Sequence, residues 1–332
     1  MTQQKTAFIT GATGFVGAAV ARLLENQGFA LRLLCRPHND RRNLEGLTNY
    51  TIVEGDLTAP ASYAKALEGC SVLFHVAADY RIWVPDEAAM NRINIDGTKA
   101  LMLAAQKAGI PRIVYTSSVA TLGIPKSGEG SEDTPVSLAN MVGVYKRSKY
   151  LAEEVVRVLI RESALPAIIV NPSTPIGPRD IKPTPTGRII IEAAAGRMPA
   201  FVDTGLNIAH VDDVAMGHWL AFEKGQIGER YILGGENLAF GAILKIVAGL
   251  TGRKAPTLKL PRLPLFPMAY AAEFIARMTG KEPMLTVDGL KMSKKKMFFS
   301  SSKAKRELGY APRPAQDAIA DAVAWFKKNE YL

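Results

Sequence analysis

Cysteine and histidine are scarce in this sequence, which has two cysteines and four histidines among 332 residues. Cys35 and Cys70 each lie in or beside an apolar run, a placement that favours buried thiols over a disulfide and fits a reducing cytosol. The histidines are scattered, and neither residue type shows the spacing of a metal site. We therefore expect no disulfide framework and no metal ion.

Long apolar runs are also missing. No run is long enough to span a bilayer, and the chain does not open with a basic segment followed by an apolar one. Because 48% of the residues are apolar and 22% are charged, the composition is typical of a soluble globular protein with a substantial core. These features predict a cytoplasmic protein.

Positive charge is in excess, with a formal net charge of +10. The densest basic cluster lies between residues 291 and 305. No nucleic-acid-binding module is present, and the basic residues are not interleaved with aromatic ones, so we expect no nucleic-acid partner. A solvated surface is the favoured interpretation of the cluster, and peripheral contact with the inner face of a membrane is the alternative.

A glycine-rich stretch, TGATGFVG, runs from Thr10 to Gly17. It lies between an apolar run at 6–9 and a helical pattern at 18–27. Glycines allow a tight turn and let phosphates approach the backbone, while the first turn of a helix favours an anion. The stretch therefore predicts a phosphate-binding loop, with the candidate residues Gly11, Thr13, Gly14, Phe15, Val16 and Gly17.

Short apolar runs alternate with helical stretches through the first half of the chain. Further strands are predicted at 30–35, 50–53, 72–76, 112–116 and 167–170, with helices between them such as 91–108 and 144–163. Repeated βα units predict an α/β fold, a Rossmann-type doubly wound parallel sheet that binds ligands at the carboxyl ends of its strands.

The composition changes after Asn171. Five prolines between 172 and 185 predict a long ordered loop. A strand at 208–211 and a helix at 212–224 are expected to return to the main sheet, a short strand lies within 225–235, and the rest is mostly helical. We predict a Rossmann domain from residues 1–172 plus about 207–225, and a smaller, mostly helical substrate lobe from 173–206 and 226–332.

The segment from Pro261 to Thr279 is apolar and aromatic over much of its length. A helix packed inside the substrate lobe is the favoured interpretation. The alternatives are an apolar wall of the substrate cleft and an edge that faces a membrane.

Tyr145 and Lys149 lie four residues apart in a predicted helix and so share one face. A free tyrosine has a pKa of about 10, and a lysine ammonium one turn away favours the phenolate, so we expect Lys149 to lower the pKa of Tyr145. The pair can then exchange a proton with a hydroxyl or carbonyl. Ser118 follows the strand at 112–116 and can hydrogen-bond a substrate oxygen at the ligand edge.

With these features the sequence resembles the extended short-chain dehydrogenase/reductase family over nearly its whole length. The family's other motifs are present as Gly-Asp-Leu at 55–57, His-Val-Ala-Ala at 75–78, Asn-x-x-Gly-Thr at 94–98, TSSVATLG at 116–123 and HVDDVA at 210–215. The resemblance implies an oxidoreductase or epimerase that holds a nicotinamide cofactor on the glycine-rich loop.

The resemblance also implies a role for each site residue. Tyr145 is the catalytic acid/base, Lys149 holds the nicotinamide ribose, and Ser118 polarises the substrate. Ser117 is a structural neighbour, and Asn94 supports the lysine or the local backbone. Besides Tyr145, Lys149 and the loop, the cofactor-binding residues implied are Asp56, Leu57, Val76, Ala77, Ala78 and Pro172.

The position after the second strand, where NAD-selective folds carry an acidic residue, holds Arg36, followed by Arg41 and Arg42. Arginine suits a 2′-phosphate through bidentate contacts, so we predict NADP(H) rather than NAD(H), with Arg36 and Arg41 at the cofactor. The alternative is that Arg36 stacks on the adenine and the other two are solvated.

The segments 77–83 and 171–187 resemble hopanoid-associated sugar epimerases and dihydroflavonol 4-reductase-like proteins. This implies hydride transfer at a carbonyl or secondary hydroxyl of a sugar-like or hopanoid-linked substrate. Reduction is favoured, and the alternatives are epimerisation with retained cofactor, a dihydroflavonol-reductase-like ketone or aldehyde reduction, and a nucleotide-binding sensor without chemistry. The candidate substrate residues are Tyr80, Trp83, Thr174 and Arg179.

Members of the family often form dimers through the helices that carry Asn94 and Tyr145, so a homodimer is expected. Val155, Val156 and Leu159 offer an apolar stripe for that contact, although the same stripe can instead face the sheet.

Overall fold

A parallel sheet of seven strands forms the centre of the molecule, for which a computed structural model describes residues 4–280, 283 and 285–332. The strands of the protein are β1 Thr6–Thr10, β2 Ala30–Cys35, β3 Tyr50–Glu54, β4 Val72–His75, β5 Ile113–Thr116, β6 Ala167–Pro172, β7 Thr174–Ile176, β8 Ala200–Val202, β9 Gly205–His210, β10 Arg230–Leu233, β11 Glu236–Ala239 and β12 Leu258–Leu260. The central sheet has the order β10, β6, β5, β4, β1, β2, β3.

Helices cover both faces of this sheet and build the rest of the chain. They are α1 Phe15–Asn26, α2 Ala64–Leu67, α3 Glu87–Asn91, α4 Thr98–Lys107, α5 Gly143–Ser163, α6 Pro185–Ala194, α7 Val211–Lys224, α8 Phe240–Thr251, α9 Leu265–Thr279, α10 Val287–Met292, α11 Ser302–Leu308 and α12 Ala315–Lys328. Among the described residues, no helix combines the length and the apolar character that crossing a bilayer requires.

The central strands bury side chains on both faces because successive residues point in opposite directions. On β1, Ala7 and Ile9 belong to one apolar cluster and Phe8 to another. The first cluster is closed by α1, α7 and α11, and the second by α2, α4 and α5. A parallel sheet covered in this way confirms the predicted Rossmann-type α/β fold.

The strand order reverses between β1 and β4, so the loops that follow these two strands lie side by side at one edge. In doubly wound sheets this switch point is where ligands bind. The glycine-rich loop follows β1, and the segment Val76–Ala78 follows β4, so the predicted cofactor residues meet there.

Strand β9 does not return to the central sheet, so that prediction was wrong. It pairs in parallel with β7 and antiparallel with β11 in a separate three-stranded sheet. Helix α7, which follows directly, does pack against α1 on the main sheet. Strand β10 supplies the seventh central strand beside β6.

The proline-rich segment contains regular secondary structure, although it was predicted to be a long loop. It contains β7, and α6 begins at Pro185, whose fixed φ suits a first helical turn. The Thr184 hydroxyl caps this helix by accepting the N–H of Gly187 at 3.0 Å. A third apolar cluster joins α6, α8 and α12 beneath the three-stranded sheet.

The structure also places the two cysteines and the apolar residues of α5. Cys35 and Cys70 are free and buried. Val156 is fully buried against the sheet and Leu159 packs beside it, so these two residues of the predicted stripe face inward, while Val155 is half-buried. The homodimer and the boundaries of the two lobes stay predictions.

Helix α9 lies within the segment from Pro261 to Thr279, as predicted, but it does not have the favoured packing. Ala269 and Ala276 are buried, whereas Phe274 and Met278 are 65% and 75% exposed. The expectation of a helix packed inside the lobe is therefore wrong for its outer side.

Candidate active site

The glycine-rich loop is shaped by close contacts that only glycine allows. Gly11 has φ of +78°, and a Cβ there would lie 2.7 Å from the backbone nitrogen of Ala77. A Cβ on Gly17 would lie 2.1 Å from the carbonyl oxygen of Gly11. The backbone of the loop is therefore in close contact with both the first turn of α1 and the segment after β4.

The start of α1 offers an open anion site. Its cap residue Gly14 provides no side-chain hydrogen bond, and the first turn has no acidic residue. The unsatisfied N–H groups and the helix dipole at such an end favour a negative charge. Thr13 is held beside it, because its hydroxyl accepts the amide of Asn39 at 3.2 Å.

A buried chain of hydrogen bonds ties the ends of β1 and β4 together. The Thr10 hydroxyl accepts the N–H groups of Val76 and Ala77 at 3.2 and 3.1 Å and lies 2.7 Å from Nδ1 of His75. Its own proton is thus donated to Nδ1, which leaves Nε2 of His75 to donate to Thr98 at 2.9 Å. Burial, and then the charge of Lys149, lower the pKa of His75 to about 3, so this bridge is neutral.

Ser118 and Tyr145 lie together at the same edge. Ser118 follows β5, where its hydroxyl accepts the N–H of Ala120 at 3.1 Å, and Tyr145 lies in the first turn of α5. Burial raises the pKa of Tyr145, and a side-chain hydrogen bond with Ser118 opposes that rise. The phenol therefore keeps its proton at neutral pH.

Lys149 is buried beneath this pair, at the end of β5. Its Nζ donates to the carbonyl of Thr116 at 2.9 Å, lies 3.4 Å from the hydroxyl of Tyr115, and sits 5.0 Å above the Tyr115 ring. Burial lowers the pKa of Lys149 to about 8, and the carboxylate of Glu153 opposes this. The expectation that Lys149 lowers the pKa of Tyr145 was wrong for this structure, because burial of the phenol dominates.

Glu153 is the centre of a buried polar network behind the lysine. Its carboxylate accepts the hydroxyls of Ser117 at 2.5 Å and Thr121 at 2.8 Å, and the amide of Asn171 at 2.9 Å. It also pairs with Arg230 of β10 at 3.0 Å. Ser117 thus lies where a structural neighbour was expected, and the network joins α5 to the ends of β5, β6 and β10.

Asn94 lies in a π-helical segment, Arg92–Gly97, that interrupts the single helix predicted over 91–108. Its side chain exchanges two hydrogen bonds of 2.8 Å with the backbone of Asp79 and donates to Ser148 at 2.9 Å. Asn94 therefore fixes the loop after β4 and contacts the neighbour of Lys149, while the lysine itself bonds elsewhere.

The three arginines after β2 have different surroundings. Arg41 pairs with Glu54 at 2.8 Å and Arg42 with Asp40 at 2.6 Å. Arg36 is exposed at the end of β2, and its charge helps to lower the pKa of Asp56. Burial alone would raise the pKa of Asp56, but hydrogen bonds from Thr58 and then the Arg36 charge outweigh it. Leu57 is buried beside Gly97.

The predicted substrate residues lie at three places in the fold. Val84 packs with Val144 and Tyr145, which brings the loop of Tyr80 and Trp83 to the catalytic turn. Thr174 lies on β7 at the end of β6, next to Pro172. Arg179 has a left-handed φ of 71° and lines a cavity with Arg42, Trp325 and Tyr331. That cavity is not lined by Tyr145.

Sequence reasoning missed Thr10, His75, Glu153 and Val84 as parts of the site. Glu153 carried a usable signal, since it lies one turn after Lys149 on the same helix face as the two predicted catalytic residues. His75 and Thr98 were quoted within motifs without a role. Val84 carried no signal, because its contact with Tyr145 depends on how the loop folds back.

These residues fit a dinucleotide cofactor. The backbone around Gly11 and Gly17 has no room for side chains, and α1 presents an uncapped first turn to a phosphate. The buried hydroxyl of Ser173, after β6, has no hydrogen-bond partner among the described residues and faces the same end of the sheet. The chain can thus supply a pyrophosphate cradle, an ammonium and a phenol along a single edge.

Comparison with known proteins agrees with this geometry. Residues 7–234 match the model of the NAD dependent epimerase/dehydratase family. A protein of Synechocystis sp. named dihydroflavonol 4-reductase is 42% identical over 330 residues, which cover 98% of this chain and 95% of that protein. Sterol demethylase protein B of Methylococcus capsulatus is 35% identical over 326 residues, covering 98% and 99%.

A solved structure extends the likeness to the whole fold. The crystal structure of gox2253 has 56% sequence identity and a TM-score of 0.89, and the match covers 99% of this chain and 100% of that one. The chain therefore belongs to the NAD dependent epimerase/dehydratase family and is an NAD(P)-dependent enzyme of the extended short-chain dehydrogenase/reductase type.

Proposed function

We propose that this protein is an NADP(H)-dependent reductase of a carbonyl on a sugar-like or hopanoid-linked substrate. The observation that carries the proposal is the pairing of Ser118 with a protonated Tyr145 above the buried Lys149. A phenol whose pKa is raised holds a proton that it can give to a carbonyl oxygen, which is the direction of reduction. The name of one relative denotes a reductase, which supports a reductive reaction, and the name of the other denotes a sterol demethylase, which supports a polycyclic or lipid-like substrate.

Each residue has a separate task in this proposal. Ser118 and Tyr145 bind the substrate oxygen, and the Tyr145 hydroxyl donates its proton as negative charge develops there. Lys149 contributes positive charge under the phenol and, with its remaining donor capacity, holds a ribose hydroxyl. A bound nicotinamide would supply the hydride.

The nucleotide contacts are proposed from the same edge. The loop from Gly11 to Gly17 and the first turn of α1 would hold the pyrophosphate, with Val76, Ala77 and Ala78 alongside. Asp56 and Leu57 would border the adenine. The exposed Arg36 would bind the 2′-phosphate that distinguishes NADP(H), and Arg41 would have to leave Glu54 to join it.

A sugar epimerase is the second candidate, favoured by the family description itself. It would use the same serine, tyrosine and lysine but retain its cofactor. A dehydratase is not supported, because Val119 and Ala120 follow Ser118 and the carboxylate of Glu153 is fully engaged in the buried network.

The test is Tyr145→Phe, with Tyr150→Phe on the same helix as the matched control. Both proteins and the wild type are assayed for NADPH consumption with a panel of sugar aldehydes and polycyclic ketones, and for NADPH binding by fluorescence. We expect Tyr145→Phe to lose turnover by roughly a hundredfold or more while binding stays intact. Unchanged turnover refutes the role of Tyr145, and epimer formation without net NADPH consumption selects the epimerase.

A further inference from the structure

The outer side of α9 and the turn just before it expose an unusual amount of apolar surface. We call this the α9 face; its side chains are between 57% and 81% exposed and comprise Leu263, Met268, Tyr270, Phe274, Ile275 and Met278. Tyr270, Phe274 and Met278 recur every four residues, so they form one row along the helix. Contiguous apolar patches of this kind mark interaction sites on soluble proteins.

Helix α9 packs against the rest of the protein through its inner side, which leaves its outer side exposed. Ala269 and Ala276 are small and buried, and α9 packs through this side on Val287 and Leu290 of α10. Glu273 also turns inward, where its carboxylate accepts the N–H of Val287 at 2.8 Å. Helix α9 is thus fixed along one side, and its charged residue on the outer side is Arg277.

A basic rim, which we define as Lys294, Lys295 and Lys296, lies beside the start of α9. All three lysines are exposed. Arg262, just before α9, holds the turn that carries them by donating to the carbonyl and hydroxyl of Ser293 at 2.9 and 3.3 Å. The apolar row and the basic rim therefore keep a fixed relation to each other.

Among the residues that the structure describes, two carboxylates near this surface are paired with lysines outside the rim. Asp288 is 3.5 Å from Lys291, and Asp203 is 3.7 Å from Lys259, so each has a basic partner of its own. The described part of this surface is therefore apolar with a positive border.

We propose that the α9 face and the basic rim dock this protein on a lipid bilayer that contains anionic lipids. The apolar side chains enter the boundary between headgroups and acyl chains, and the ammonium groups contact the lipid phosphates. A second copy of the chain is a poorer occupant, because it would present another positive border and not the negative charge that complements the rim.

The docked orientation places the catalytic edge close to the bilayer. A Cβ on Gly143, at the start of α5, would lie 2.7 Å from a carboxylate oxygen of Asp288 on α10. Lys146, the residue after Tyr145, is close enough to Lys295 for the two charges to interact. The surface and the turn that carries Tyr145 are therefore neighbours.

The test measures co-sedimentation of the full-length protein with large vesicles, one set of pure phosphatidylcholine and one with added phosphatidylglycerol. We expect binding to the anionic vesicles that weakens as salt is added. The double variant Phe274→Ser/Ile275→Ser should lower the partition coefficient by roughly tenfold or more. The triple variant with Lys294, Lys295 and Lys296 changed to Gln should lower it by roughly tenfold to a hundredfold on anionic vesicles only.

Matched controls distinguish binding through this surface from nonspecific binding of the protein to vesicles. Ile227→Ser removes an apolar side chain that is 51% exposed elsewhere, against 57% for Ile275, and Lys327→Gln/Lys328→Gln removes exposed charge from α12. Both controls should bind like the wild type. Absence of wild-type binding, or equal binding by all variants, overturns the proposal. A dimer in analytical ultracentrifugation that the Phe274/Ile275 variant dissociates also overturns it.

Discussion

Glu153 lies one helical turn after Lys149 on α5, and its buried carboxylate raises the pKa of that lysine against the lowering imposed by burial. The same carboxylate pairs with Arg230, which anchors it to β10, the edge strand beside β6. The charge state of the proposed ribose-binding lysine thus depends on a residue that touches neither substrate nor cofactor. Glu153 is a positioning residue in this sense.

Changing Glu153 to Gln should shift the alkaline limb of NADPH binding to lower pH. Without the negative charge, burial acts alone, and the pKa of Lys149 falls below about 8. Loss of the pair with Arg230 should also lower the free energy of unfolding by about 3 kcal/mol. The pH profile of NADPH fluorescence and urea unfolding measure the two effects. Glu154→Gln is the control, because Glu154 pairs at the surface with Arg157; a profile that does not separate these variants contradicts the role of Glu153.

Changing Gly17 to Ala should abolish cofactor binding. The new Cβ would lie 2.1 Å from the Gly11 carbonyl oxygen, so the loop must move away from the first turn of α1. We expect at least a hundredfold weaker NADPH binding and a loss of roughly 1–3 kcal/mol of stability. Gly249→Ala, in α8, where the new Cβ would meet nothing within 4 Å beyond its own stretch of helix, should instead stabilise the protein by about 0.5–1 kcal/mol. Calorimetric titration and thermal unfolding check both; normal NADPH binding by Gly17→Ala would show that the loop is not the cradle.

Changing Arg36 to Gln should weaken the binding of NADPH but not that of NADH. A charged hydrogen bond to a 2′-phosphate contributes about 1.5–3 kcal/mol, so the NADPH dissociation constant should rise by roughly tenfold to a hundredfold. The ratio of the two dissociation constants is the readout. Arg157→Gln on the surface of α5 is the charge-matched control. Equal loss for both cofactors would mean that Arg36 stacks on the adenine.

The free energy of unfolding should fall as the pH falls from about 6.5 to 4. Burial lowers the pKa of His75 to about 3 and that of His218 to about 4, while an unfolded histidine binds a proton near pH 6.5. The unfolded chain therefore binds more protons in this window, and each histidine contributes a slope of up to about 1.4 kcal/mol per pH unit.

The carboxyl of Asp180 has the opposite effect on the free energy of unfolding within part of this pH window. Burial raises its pKa to about 6, so the folded state binds the extra proton between that pH and 3.8. Between about pH 6 and 5 the net slope should therefore be close to that of a single histidine, and His218→Gln should make it nearly flat there. Urea unfolding at several pH values measures this, with the exposed His38→Gln as the control that keeps the wild-type slope. A slope that His218→Gln leaves unchanged would contradict the assignment.

Much of the nucleotide half was predictable because its signals are local. Alternating βα patterns placed β2 at Ala30–Cys35 as observed, and α5 within one residue of its start. The glycine-rich loop was recognisable because the backbone conformation and close contacts at Gly11 and Gly17 require the absence of a side chain.

The predictions that were wrong concern features that depend on contacts between distant segments of the chain. The sheet that β9 joins depends on which edges are free after the chain has folded, and a short apolar run does not encode its partner. The pKa of Tyr145 depends on burial by residues such as Val84 that lie far away in the chain. The apolar sequence of α9 looks the same whether the helix is buried or exposed.

By itself, then, the sequence determined the order of strands and helices in the nucleotide-binding half, the loop that can receive phosphates, and the serine, tyrosine and lysine at one edge, because each follows from periodicity or from a residue's own stereochemistry. Only the tertiary structure decided that Glu153 supports Lys149, that Tyr145 retains its proton and that α9 has an uncovered side. These depend on desolvation and on contacts between distant segments, which exist only after the chain has packed.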